Sequence, residues 1–290
     1  LQFGVYTTGE FNMSGGKIET CGTAIYMANK KGTTENKGTN ITGGTIENTY
    51  KERVAVQNAS SGTLTISGSN AIKITSNASK GIYLSGTGKV DITASKLTVS
   101  GSTNAISNKS TGTISISGAS TFEAKNGACV ENEGTGSIEI KAGTFNGNTY
   151  GIKNYSTGEI TVTNGEITGN TGISVGSGGT LTLGDKSTDV STTNPLIKGS
   201  STGVEVGGAG SINVFNFYDG RIVASNGSEG AAIHIDKDNI KTPTGYRVVY
   251  EDTGRIAYLS NKYNVNYDYS TNGGTSTTAK NSTLTYGTSI

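Results

Sequence analysis

The sequence predicts an all-β fold, a single-stranded parallel β-helix (a solenoid) of about nine rungs, and three observations carry that prediction. Short alternations of aliphatic and polar residues recur every 21–31 residues. A second apolar site, always preceded by a small residue, recurs in step with them. Asparagine returns at one fixed offset from that second site.

The alternation is clearest in GTISISGASTFEAKNGACVEN from Gly112, GSIEIKAGTFNGNTYGIKN from Gly136 and GEITVTNGEITGNTGISV from Gly158. Alignment of the copies gives a first aliphatic column of Met13, Ile41, Ile66, Ile92, Ile116, Ile140, Val162, Leu183 and Val214. Two positions upstream lies a companion column of Phe11, Leu64, Val90, Ile114, Ile138, Ile160, Leu181 and Ile212, which Thr39 interrupts. A spacing of i, i+2 places both side chains on one face of a strand, with Ser, Thr, Asn or Glu facing outward between them.

A third column follows in most copies: Ile18, Ile46, Leu97, Phe122, Phe145 and Ile167. The fourth is the most regular: Ile25, Val56, Ile82, Ile106, Val130, Ile152, Ile173, Val204 and Ile233. Before each stands Ala24, Ala55, Gly81, Ala105, Cys129, Gly151, Gly172, Gly203 or Ala232. The small residue is expected at a bend, where a larger side chain would crowd a narrow interior. Asn58, Asn108, Asn132 and Asn154 stand two residues after the fourth column, with Leu84 interrupting. Their amides are expected to bond along the axis and to satisfy corner backbone groups.

These units mean a solenoid because none of them is stable alone. Ordering the backbone costs about 1–2 kcal/mol per residue, and one short strand buries too little to offset it. Stacking gives each strand partners on both sides and aligns like side chains into interior rows. The leucine-dense pattern of leucine-rich repeats is absent. Glycine density and β-branched alternation exclude helical repeats.

Composition narrows the function classes. Forty-four glycines with only two prolines fit neither collagen nor a polyproline stalk. The hydrophobic share of 32% recurs in alternating runs that a flexible linker would not need. A net charge of +1 gives no reason to expect nucleic acid or an acidic membrane as partner. No run of 18 apolar residues is present, so no membrane insertion by a helix is expected. Leu1 begins inside ordinary repeat sequence, and any export signal is expected outside this segment. Cys21 and Cys129 fall about four turns apart, roughly 19 Å at the spacing between stacked strands, too far for a disulfide. Cys129 occupies the small column and reads as a buried hydrophobe.

The expected organisation is a β-helix over 1–245, terminal strands or a cap over 246–262, and a distinct segment over 263–290. Residues 1–12 read as part of a preceding turn. In the last segment Tyr263, Val265, Tyr267 and Tyr269 alternate, Asn272-Gly273-Gly274 marks a turn, and Leu284-Thr285-Tyr286-Gly287 opens another strand. These elements resemble part of a Listeria–Bacteroides repeat, a β-grasp-like module of secreted and wall-anchored bacterial proteins. The repeats of residues 9–245 resemble the pectin-lyase-like right-handed β-helices of large Gram-positive surface proteins, and the right-handedness is taken from that resemblance. Together the two imply a monomeric domain within a multidomain, extracellular, secreted or cell-wall-attached adhesin.

Enzymes of the resembled fold act on polysaccharides through clustered carboxylates, or through calcium-bound acids with a basic proton acceptor. The best acidic group is Asp185 and Asp189, with Asp219 and Arg221 nearby, in the longer copies where an expanded corner can form a groove wall. None of them repeats as a column, so isolated surface acids are the favoured reading. His234 is expected to face solvent. Asp236, Asp238 and Asn239 start like an oxygen-ligand calcium loop but lack the Gly and Glu that complete one. No cofactor or metal is expected. Tyr26 and Tyr83 follow fourth-column aliphatics and are expected on one outer face, with Gln57 between them. There they are candidate platforms for sugar stacking. Tyr155 belongs to a corner, and Phe215 and Phe217 are expected to plug the end of the core. The function expected is a non-catalytic structural or adhesive segment, contacting carbohydrate or a host surface protein. The alternative is a polysaccharide lyase or glycoside hydrolase working in an outer groove.

Overall fold

A computed structural model describes residues 2–261 except 51, 177, 188, 208–212, 226–229 and 236–238, together with the backbone of Tyr263–Asn266 and Asn281–Leu284. The chain winds as a parallel β-solenoid of about nine turns. One turn consists of Ile138–Ile140, Thr144–Gly147 and Tyr150–Asn154. Each of these strands pairs in parallel with its counterparts in the turns before and after, building three faces. The second and third faces join where Glu166–Val175 and Leu196–Val206 run through the corner as continuous bent strands.

Register turns the sequence columns into interior rows. On the first face Ile66, Ile92, Ile116, Ile140, Val162 and Leu183 are mutual partners and fully buried. The fourth column holds across nine turns, from Ile25 paired with Val56 to Val204 paired with Ile233. Burying one such aliphatic side chain is worth about 1.5–3 kcal/mol, and stacking lets every turn bury several.

The structure corrects three columns. Leu97 pairs with Ile72, and the partner of Phe122 is Val99. The third row therefore runs Ile18, Ile46, Ile74, Val99, Phe122, Phe145, Ile167, Ile197 and Ile222. The Leu97–Val99 strand carries two inward aliphatics, and a fixed offset selects the wrong one. Near the C-terminal end Leu181 pairs with Phe215 and Leu183 with Phe217, whereas Val214 pairs with Thr180. The interval there is 34 residues rather than 31, because the corner after Leu183 is longer than the repeat allows. Ile212 lies outside the described residues. Phe215 and Phe217 are fully buried and stack at 5.4 Å, so they fill the interior rows near that end.

The small column has a measurable cause. A Cβ on Gly151 would lie 2.4 Å from Ile167 Cγ2, and one on Gly203 would lie 2.3 Å from Ile222 Cγ2. The third-row aliphatic presses on the backbone just before the fourth row. At the equivalent positions Ala24, Ala55, Ala105, Cys129 and Ala232 are fully buried.

The asparagine ladder is present. Asn108 Nδ2 donates to Asn132 Oδ1 (3.1 Å), and Asn132 Nδ2 donates to Asn154 Oδ1 (3.0 Å). Each amide also closes its own corner by donating to a carbonyl four residues on, at Gly112, Gly136 or Gly158. Asn58 makes the same local bond to Gly62, but its partners along the axis are Met27 and Leu84. The row continues inward as apolar packing, with Leu84, Val175 and Val206 buried.

The two ends differ. At the first, Phe3–Thr7 pairs in parallel with Thr23–Ala28. At the last, Ile256–Asn261 pairs antiparallel with Arg221–Ala224 and with Tyr246–Glu251, and lays Ala257 and Leu259 on the core. Beyond it Tyr263–Asn266 pairs antiparallel with Asn281–Leu284. Tyr267, Tyr269 and Asn272–Gly274 lie outside the described residues.

Candidate functional site

Outward side chains on the third face form a row in strict register: Tyr6, Tyr26, Gln57, Tyr83, Ser107, Glu131, Lys153. Tyr26 and Tyr83 therefore share one face, two turns apart. They are not equivalent. Tyr26 stacks on Tyr6 at 5.6 Å and packs against Phe3 at 4.7 Å, so its ring is engaged in an N-terminal aromatic cluster. Tyr83 lies in a cleft of about 210 Å³, whose lining also includes Gln57, Arg53, Lys80 and Lys109.

The elements around Tyr83 explain the cleft. In the turn before that of Tyr83 the corner between the second and third faces is long, separating the strand that ends at Asn48 from the one that begins at Val56. Glu52 adopts φ 67°, a left-handed conformation uncommon for a side chain of this kind. The next residue, Arg53, lines the cleft. Lys80 sits at the same corner one turn on, where its carbonyl accepts the Ala55 amide, and its ammonium lies 5.6 Å from the Tyr83 ring centre. Lys109 follows the ladder residue Asn108 on the other edge of the sheet. It is paired with Glu133 at 2.9 Å, and that hydrogen bond holds its pKa above the usual lysine value. Ser107, the next residue in the row, is buried, and its hydroxyl lacks a hydrogen-bond partner. Glu131 follows, half-buried, its pKa raised first by burial and then by Glu133. Further on, Lys153 lies 3.9 Å and 4.4 Å from the Tyr150 and Tyr155 ring centres.

The acidic group of the long copies is brought only partly together. Asp219 is buried, and its carboxylate accepts the backbone N–H groups of Ser191 (2.6 Å) and Asp185 (3.1 Å). It ties down the long corner after Leu183. Burial raises its pKa, against the opposing pull of those two donors. The Asp185 carboxylate is exposed and turned to Ser187, whose side chain first and backbone amide second (2.8 Å) lower its pKa by hydrogen bonding. Asp189 is exposed. Arg221 lies 5.7 Å from the Tyr258 ring centre, on the strand that meets the antiparallel hairpin. A second cleft of about 390 Å³ opens between this corner and the 242–246 turn, lined by Lys186, Tyr218, Pro243 and Tyr246 among others.

His234 is exposed and pairs with Glu205 in the strand register. Asp236 and Asp238 lie outside the described residues. Among the described residues no three His, Cys, Asp or Glu side chains come together as a metal site. Both cysteines are free thiols, Cys21 exposed and Cys129 buried, and burial raises the Cys129 pKa.

Sequence reasoning found Tyr83 but missed Arg53, Lys80 and Lys109. A register signal for two of them was available. Lys80 immediately precedes a small-column glycine, and Lys109 immediately follows a ladder asparagine. Comparison with protein-family models, curated proteins and solved structures finds no match to this chain. Its class therefore rests on architecture: an all-β parallel β-solenoid.

Proposed function

We propose that the chain is a rigid, non-catalytic structural or adhesive segment of an extracellular bacterial surface protein, contacting carbohydrate or a host surface protein through its flanks. Within this reading the solenoid is of the pectin-lyase-like kind, and residues 263–290 begin a Listeria–Bacteroides-type module. The observation that carries it is the fate of the acids in the long corner. The buried carboxylate, Asp219, spends both oxygens on the backbone N–H groups of Ser191 and Asp185, which is work for a structural brace. Several other outward acids face lysines, as in Lys198–Glu166 at 2.7 Å and Lys141–Glu139 at 2.8 Å. A core continuous from turn to turn supports a spacer, because the strands within the stack are hydrogen-bonded to the turns on both sides.

The test is to incubate the full chain with a panel of plant and host glycans, following both retention and new reducing or unsaturated ends. Retention without cleavage is the expected outcome. Turnover of any member, abolished by Asp185→Asn or Asp189→Asn, would establish the lyase or hydrolase alternative instead.

A further inference from the structure

We propose that the cleft on the outer third face is a binding site for a linear anionic polysaccharide, with Tyr83 as the platform beneath a sugar ring and Arg53, Lys80 and Lys109 as its charged rails. This deepens the adhesive reading above and rests on it. Four features lead there. The cleft is lined by residues from four successive turns, and its three cations stand on three of them, so the rails follow the solenoid axis. Three cations against one acid, Glu52, line it, and a cleft of one sign concentrates a ligand of the other. An aromatic ring with an ammonium beside it suits a ring-shaped ligand that carries an acidic group. The adjoining Ser107 hydroxyl is buried without a partner, a polar group next to the cleft for which the fold provides no bond.

The alternatives fit less well. An extended peptide binds a sheet by pairing with a free strand edge, and the strands forming this floor have none. Val56–Ala59 and Ile82–Leu84 are paired on both sides. Recognition must therefore come from side chains. A nucleic acid, with a phosphate at every step, would meet Glu52 at one wall and Glu131 and Glu133 beyond Ser107. Those acids also bound the site. From Tyr26 to Ser107 is three turn spacings, roughly 14 Å, which fits a short oligosaccharide segment.

The experiment measures binding of the full chain to five probes: a hyaluronan oligosaccharide carrying carboxylates, a heparin oligosaccharide carrying sulfates, neutral dextran, polyglutamate and a single-stranded oligonucleotide. At least one of the first two is expected to bind, more weakly as salt rises, and which one does identifies the acidic group. Arg53→Ser with Lys80→Ser, and separately Tyr83→Ser, are expected to weaken it about tenfold or more. Lys141→Ser, on another face, is expected to leave it unchanged. All of these positions lie outside the core, and an unchanged melting curve verifies folding. Tighter binding of dextran, polyglutamate or the oligonucleotide would overturn the ligand class. An anionic glycan bound equally by parent and cleft variants would overturn the site and leave the adhesive reading standing. Failure of both anionic glycans to bind would overturn this proposal, whereas the non-catalytic reading falls only if a glycan is cleaved.

Discussion

The turns between Gly112 and Val162 and the turn between Thr180 and Phe217 solve the same problem by different means. In the first group successive interior positions are 24 and 22 residues apart, from Ile116 to Ile140 to Val162. The corners are closed by the turn's own asparagine, which also reaches the next turn. In the second, 34 residues separate Leu183 from Phe217, and the local side-chain bonds of the long corner, such as Ser187 N–H to Asp185 and Asn194 N–H to Ser191, reach only two or three residues. Asp219 from the following turn reaches back to hold it. The interior rows nevertheless resume, with Ile197 and Val204 fully buried. A solenoid therefore tolerates insertion at a corner when two conditions hold: the columns re-enter register, and the freed backbone groups find partners.

The largest expected effect tests the cores of the two regions. Phe145→Ala and Phe217→Ala each remove a buried, stacked ring, and each is expected to cost about 3–5 kcal/mol. Phe145 lies mid-stack, and its loss should lower the denaturation midpoint of the whole solenoid. Phe217 lies near the end, so its variant should instead release the last turns first, read as early protease cleavage after residue 184 with the earlier turns intact. Identical cleavage patterns would argue that the stack unfolds as one unit.

Next comes the ladder. Asn132→Ala breaks a bond to Asn154, one from Asn108 and one to Gly136, leaving buried polar groups unpaired, and should cost about 3 kcal/mol. Asn58→Ala breaks local bonds alone and should cost distinctly less in the same denaturant titration. Equal losses would show that the bonds between turns contribute nothing beyond corner closure.

Asp219→Ala should cost about 1–3 kcal/mol and speed hydrogen exchange at the Ser191 and Asp185 amides. The pH dependence has a definite sign. With its folded pKa raised, Asp219 binds its proton more tightly in the native state than in the unfolded one. Its contribution to stability therefore falls as pH rises from the ordinary carboxylate range through the raised value. Asp219→Asn should flatten that slope, and an unchanged slope would assign it to another group.

The smallest effect is expected at Lys109→Ala, which removes an exposed ion pair with Glu133 and should change stability by roughly 0.5 kcal/mol or less. A larger loss in thermal melts would mean that Lys109 packs against the sheet as well as lining the cleft.

Much of the fold was legible because its determinants are local. Ile138 and Ile140 announce a strand by their spacing, and Gly151 announces a tight bend by its size. Asn132 and Asn154 announce a ladder by their common offset. The row through Leu97 and Val99 was misread because both are inward and aliphatic, and only pairing with Ile72 and Ile74 distinguishes them. Val214 was placed beside Leu183 because corner length leaves no periodic trace. At the candidate site Tyr83 was visible through its neighbour Ile82. Arg53 was hidden in an irregular corner whose direction depends on the left-handed conformation of Glu52.

The sequence by itself determined the parallel stack, the buried fourth row, the small residues before it and the asparagine ladder. Each follows from side-chain periodicity or size within a single turn. Only the tertiary structure decided that Asp219 braces a corner rather than joining Asp185 and Asp189 in a groove, that Tyr26 is occupied by Tyr6 and Phe3, and that Arg53, Lys80 and Lys109 meet around Tyr83. Those outcomes depend on how many residues each corner contains and where the next turn lands, and contacts between turns are set by stacking, which no single repeat encodes.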